Sequence, residues 1–250
     1  MSPQSSARAD LPTAAGFHTT HWTVVLAAKD GGGTAAPEAL ARLCSTYWYP
    51  LYAFIRHLGC SPHQAEDSTQ EFFHHFLKRN SLAHVQQGAG KFRSFLLACL
   101  KNFLANERDR AQTQRRGGGH EIVSLDGATA ETRYSMEPID PRTPEDVFER
   151  RWALAVLEQT MVELERECAA GEKAASFREL QGFLPGGGGT VSRAELAAKR
   201  GVSVAAIDVA IHRLRQRFGN LLREQVRKTV SSESEIEDEL RYLISKAGQR

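Results

Sequence analysis

The side chains best suited to do chemistry here are arginines, lysines and aromatics, and they fall in two blocks. From Lys91 to Arg116 there are seven Lys/Arg against two Asp/Glu, and from Arg193 to Lys228 nine against three. The first block reads KFRSFLLACLKNFLANERDRAQTQRR, with Phe92, Phe95 and Phe103 set among the cations. Basic grooves with aromatic faces hold unstacked single strands. The second contains VAAIDVAIHRLRQRFGNLLREQVRK, where His212, Arg213, Arg215 and Arg217 can serve a duplex, some at base edges and some at phosphates. Both blocks point to nucleic acid. Residues 145–173 hold eight acids against four bases, so a net charge of +2 conceals a strong segregation of charge.

Other chemistries lack their side chains. No G-x-x-x-x-G-K-[ST], H-E-x-x-H or G-x-S-x-G motif occurs. The glycine runs at 31–33, 117–119 and 186–189 lack the strand-before, helix-after setting of a phosphate loop and read as linkers. His18-x-x-His21 and His74-His75 bring metal to mind, but adjacent residues of a helix point about 100° apart, and no acid completes a compact ligand set. The expectation is a protein with no catalytic residue, no metal and no cofactor. Cys44, Cys60, Cys99 and Cys168 form no C-x-x-C pair and read as buried, reduced thiols. There is no basic segment followed by an apolar h-region, and no apolar run of bilayer length. Together these predict a cytoplasmic protein without a membrane partner.

The elements that must position these side chains are helices. The chain has 250 residues, 41% of them hydrophobic, enough for one large or two small cores. Residues 1–16, rich in Ser, Ala and Pro, read as a disordered tail. Thr19 and Thr20 can cap a short helix through Ala28. The next helix starts at Pro37, carries Leu40, Leu43, Tyr47 and Trp48 on one side, and is kinked or ended by Pro50. LYAFIRHLG continues helically to Gly59. Ser61, Pro62 and Gln64 then specify a helix start: an N-cap, a good first residue and the far side of a capping box.

That start launches AEDSTQEFFHHFLKR. Ala65, Phe72, Phe73, Phe76 and Leu77 follow helical periodicity, while Asp67, Gln70, Glu71 and His74 share the opposite face. A negative face would repel phosphates, so it is either solvated surface or a docking face for a basic protein, and read alone the helix favours the first. In the first basic block, Phe92, Phe95, Leu96, Cys99, Leu100, Phe103 and Leu104 form an apolar stripe. Phe103 reads as core; Phe92 and Phe95, near the helix start, suit core packing and base stacking equally. Residues 117–144, with GGG, DG and three prolines, read as a linker.

Thr143-Pro144-Glu145 opens a helix to about residue 170 with Phe148, Trp152, Ala155, Val156, Met161 and Leu164 inward, and another helix covers about 173–184. Ser192 and Glu195 make a second capping box, the short helix ends at Gly201, and Ser203 starts the next. Two helices around a tight glycine turn are a helix-turn-helix, with Ala197 and Ile207 suited to a close crossing. The fold class expected is all-α: two helical domains joined by a flexible linker. The tail at 229–250, TVSSESEIEDELRYLISKAGQR, suits a short helix on the C-terminal domain or a regulatory segment masking a basic helix; its polarity favours a solvated extension.

The acidic helix, the KFRSFLLACLKNFLANERDR helix, a linker and SRAELAAKRGVSVAAIDVAIHRLRQRF, in this order, resemble the extracytoplasmic-function group of sigma-70 family RNA polymerase sigma factors. The resemblance spans about residues 17–228. It implies that residues 17–116 act as sigma region 2 and residues 145–228 as region 4. Asp67, Gln70 and Glu71 would dock on a basic surface of the polymerase β′ subunit. Arg93, Phe95, Lys101, Asn102, Asn106 and Arg108, with the loop before them, would recognise and melt the promoter −10 element. Ser203, Asp208, His212, Arg213, Arg215 and Arg217 lie on the helix that would read the −35 element. Core polymerase and promoter DNA are the implied partners, with an anti-sigma protein or other regulator as a further one. Phe95 stands where many relatives carry Trp, Asp208 where many carry Lys or Arg, and Ala210 where Arg is frequent. The other reading of the residues is a dimeric helix-turn-helix regulator that binds duplex DNA without polymerase.

Overall fold

The computed structural model describes residues 36–78, 91–113, 127–135, 141–169, 172–187, 191–230 and 232–249. The expected N-terminal tail, the helix at Thr19, His18, His21 and the loop before the first basic helix lie outside them. Among the described residues the chain is all-helical, with nine α-helices and no strand. They are α1 (Ala36–His57), α2 (Pro62–Lys78), α3 (Phe92–Thr113), α4 (Gly127–Ser135), α5 (Pro144–Glu167), α6 (Glu172–Leu180), α7 (Arg193–Arg200), α8 (Val204–Arg227) and α9 (Ile236–Gly248). No helix among the described residues is long and apolar enough to cross a membrane. None of the four cysteines is in a disulfide and all are half-buried; burial pushes the thiols of Cys44 and Cys99 up to about 11, which keeps them protonated near neutrality.

The starts written in the sequence appear as expected. The Gln64 amide donates to Ser61 Oγ (3.3 Å) and the Ser61 amide to Gln64 Oε1 (3.0 Å), closing the capping box of α2. Thr143 caps α5 through the Asp146 amide, with Pro144 at the first helical position. Pro50 does not end its helix: α1 continues through it. Proline removes one intrahelical hydrogen bond, but Pro50 is itself buried between Tyr49 and Leu51, so packing outweighs that loss.

α1 and α5 make the most extensive contact in the molecule. Tyr47, Tyr52 and Phe54 of α1 and Phe148 and Trp152 of α5 are almost wholly buried. One continuous core joins them to Phe72 and Phe76 of α2, Phe92, Leu96 and Leu100 of α3, Phe218 and Leu222 of α8 and Leu243 of α9. Residues from both halves expected as separate domains therefore share this core. Within the segment expected as linker, α4 lies against α1: Glu131 takes the Arg56 guanidinium (2.9 and 3.0 Å) and the Tyr52 hydroxyl. Arg133 bonds Glu158 of α5 and stacks over Tyr49. α4 has nine residues and its one described buried residue is Ala130, which explains why its periodicity is weak.

A second, smaller core of Leu180, Leu196, Ala197, Ile207 and Ile211 holds α6, α7 and the first half of α8 together. α8 thus belongs to two cores, with Leu214 touching both. An apolar cavity of about 1270 Å³, lined by Leu157, Met161, Phe183, Leu196 and Phe218 among others, lies between this unit and α5. The tail also differs from a solvated extension. Residues 236–248 form α9, whose Ile236, Glu239 and Leu243 are buried against the helices around them.

The hydrogen bonds from Arg56 hold the Glu131 carboxyl below the usual carboxylate range. A carboxylate depressed in the folded state stabilises fully above its ordinary pKa, and the contribution is lost as pH falls through the depressed value. Glu131→Gln should therefore be less stable than the parent at pH 7. In urea titrations that difference should shrink as pH falls from about 5 towards 2.

Candidate nucleic-acid interface

The helix-turn-helix is built by local chemistry. The Ser192 amide donates to Glu195 Oε2 (2.7 Å) and the Glu195 amide to Ser192 Oγ (3.1 Å). α7 ends at Gly201, whose φ of 63° is left-handed, a conformation that costs a residue with a Cβ. The Val202 amide returns to the Ala197 carbonyl (3.1 Å), and Ser203 caps α8 through the Ala206 amide (3.2 Å). Ala197 and Ile207 are buried at the crossing, as their small and branched shapes predict. Arg200 fixes α7 on α6 by bonding Glu179 (2.6 Å) and Ser176 (3.3 Å), a clamp the sequence analysis did not single out.

The exposed face of α8 begins with Ser203 and carries Asp208, His212 and Arg213 outward. Asp208 pairs with Arg193 of α7 at 3.2 Å, both about half exposed, so the acid on this helix already holds a cation. Val204 and Val209 are exposed beside it. Such methyl groups suit apolar contact with a base edge. Arg215 and Arg217 sit differently. Arg215 donates to the Phe183 carbonyl (3.0 and 2.8 Å), and Arg217 pairs with Glu167 of α5 (2.7 Å). Both stay exposed, but each is tied to its own chain in this arrangement.

The expected residues of α3 divide in the same way. Asn102, Asn106 and Arg108 are exposed, and Lys101, also exposed, pairs with Glu145. Phe103 packs edge-on against Phe72, and Phe92 is core. Phe95 is half-buried, its ring 6.2 Å from Phe76 and 6.4 Å from Phe92. Arg93 is buried. It bonds Glu149 of α5 (2.6 Å), pairs with Glu239 of α9, and lies between the rings of Trp152 and Tyr242, each 4.4 Å from its guanidinium carbon. A signal for this was present: Glu239 falls on the apolar spacing Ile236, Glu239, Leu243, where an acid needs a buried cation.

On α2, Asp67, Glu71 and His74 are exposed and Gln70 is half-buried, donating to Glu66 at 3.3 Å. Phe72, Phe73 and Phe76 cover the opposite face, and Thr69 bonds back to the Ala65 carbonyl. The acidic face is a stripe one helical surface wide, with its helix start fixed by the capping box. His75 packs on Phe103 while His74 faces solvent, so the two rings do not converge. Among the described residues no three His, Cys, Asp or Glu side chains gather as metal ligands do.

No protein-family model matches this chain, and no curated protein or solved structure matches it.

A Cβ added at Gly201 meets no atom within 4 Å, so only the backbone conformation resists substitution there. Gly201→Ala should cost about 1 kcal/mol in chemical denaturation. The larger loss produced by a clash should not appear.

Proposed function

We propose that this protein is a sigma factor: it binds core RNA polymerase, directs it to a class of promoters and helps to open the DNA. The observation that carries the reading is the outward acidic stripe of Asp67 and Glu71 on a capped helix, in one chain with an exposed helix-turn-helix. A nucleic-acid-binding protein gains nothing at phosphates from such a stripe, but a basic protein surface would be attracted to it. In this reading residues 17–116 act as region 2, residues 117–144 as the connection and residues 145–228 as region 4. The polymerase does the chemistry, so the chain needs no catalytic group. A cytoplasmic location goes with the role.

On the duplex side, the capped start of α8 and its outward residues would enter the major groove, with Arg213 and the flanking cations on phosphates. On the single-strand side, Asn102 and Asn106 share one exposed face of α3, and Arg108 is exposed on another. Asp208 would accept from a cytosine amine if it faces a base.

Run-off transcription with purified core enzyme tests the proposal, and the absence of any promoter-dependent transcript from candidate upstream regions would sink it. Asp67→Arg combined with Glu71→Arg should abolish capture of core polymerase and leave the circular dichroism spectrum intact, since both sites are exposed. Asp208→Lys should raise affinity for duplex DNA and steepen its salt dependence by one to two counterions, roughly. An unchanged slope would place Asp208 away from the phosphates.

A further inference from the structure

Three acids of the C-terminal segment, Glu233, Glu237 and Glu239, pair with cations of the two basic helices, while Asp238 pairs with Arg241 of its own helix and Glu235 accepts from the Ser232 amide. Glu239, 0% exposed, pairs with Arg93 and with Lys91 (2.7 Å) at the start of α3. Glu233 pairs with Arg227 (2.9 Å) and Glu237 with Arg223 near the end of α8. Tyr242 lies over Arg93 and, at 5.1 Å, over Lys91. The first amide of α3, at Phe92, donates to the carbonyl of Thr229, just after α8 (3.5 Å). At its far end α9 is held to α5 by Lys246–Asp146 (2.7 Å) and by Arg150 on the Gln249 carbonyl (2.9 Å).

Arg93 takes one acid and one ring from each of two helices: Glu149 and Trp152 from α5, Glu239 and Tyr242 from α9. Taking α9 away would leave the guanidinium oriented by an acid and supported by a ring, with the places of Glu239 and Tyr242 empty and Lys91 open. An arginine held in that way is prepared for a phosphate or for stacking on a base. The carboxylates of Glu233, Glu237 and Glu239 occupy, along one short segment, the places that anionic oxygens of a nucleic acid would take on Lys91, Arg93, Arg223 and Arg227.

We propose that residues 232–249 are a self-inhibitory strap, an internal mimic of a nucleic-acid backbone that must leave the basic ends of α3 and α8 before these can take DNA. This rests on the reading of α3 and α8 as DNA-binding helices. A strap of this kind makes free DNA binding weak and gives a partner that captures the acidic segment a means of activation.

The test uses the full-length chain and a fluorescent 20-nucleotide single strand at fixed salt, with hydrogen exchange read on residues 236–248. Glu239→Gln leaves half-buried Lys91 without this carboxylate and buried Arg93 with Glu149 alone, which favours opening of the segment. It should raise affinity for the strand about tenfold and speed exchange in α9, with overall helicity kept. Glu233→Gln with Glu237→Gln, both exposed acids, should raise affinity about threefold. Faster exchange without a gain in affinity overturns the proposal, as does no change in either. If Glu239→Gln does not fold, the double variant decides alone, and no gain in affinity overturns the strap. Capture of core polymerase by the parent chain is measured in parallel. Capture without the affinity gain removes the strap alone; the gain without capture removes the sigma reading and leaves the strap standing.

Discussion

The packing of this chain turns on a charge that cannot be discharged. A guanidinium keeps its proton in any protein environment, so burying Arg93 requires acids at hydrogen-bonding distance and faces that tolerate a cation. Glu149 and Glu239 supply the acids and Trp152 and Tyr242 the faces. These four residues come from α5 and α9, so one side chain on α3 ties together elements far apart in sequence. Loss of either acid leaves the buried guanidinium with one carboxylate in place of two, a larger penalty than loss of a surface pair. Burial lowers the pKa of Lys91 beside it, and the nearby Arg93 charge lowers it further.

The helix-turn-helix depends on none of this. Its two caps, its left-handed Gly201 and its five-residue core are all satisfied between Leu180 and Ile211. The second half of α8 is different, since Phe218, Leu221, Leu222 and Val226 are part of the main core. α8 therefore works as a shaft, with a reading end held by local contacts and an anchored end that shares its surroundings with α9.

Charge segregation in the sequence becomes charge pairing in the fold. Lys101 meets Glu145, Arg217 meets Glu167, Arg193 meets Asp208, and the acids of the tail meet Arg223 and Arg227. The outward cations left on α3 and α8 sit among neutral and apolar groups such as Asn102, Asn106, Val204 and Val209. The face of α2 goes the other way. Its acids at 67 and 71 point out from a helix whose phenylalanines are buried, so they remain solvated and accessible to a basic surface.

What the sequence by itself determined is what neighbours along the chain can satisfy. The capping boxes at Ser61 and Ser192, the cap at Thr143, the turn at Gly201, the crossing of Ala197 with Ile207 and the outward acidic stripe all rest on residues within a few positions of one another. The tertiary structure decided the rest, because burial is set by partners distant in sequence. It took α1 through Pro50, made a helix of part of the linker segment, brought both halves onto one core, and turned Arg93 inward. The acid that does this last, Glu239, is 146 positions from Arg93. Helical spacing could mark each as misplaced on an apolar face, but only packing could show that each is the other's counter-charge.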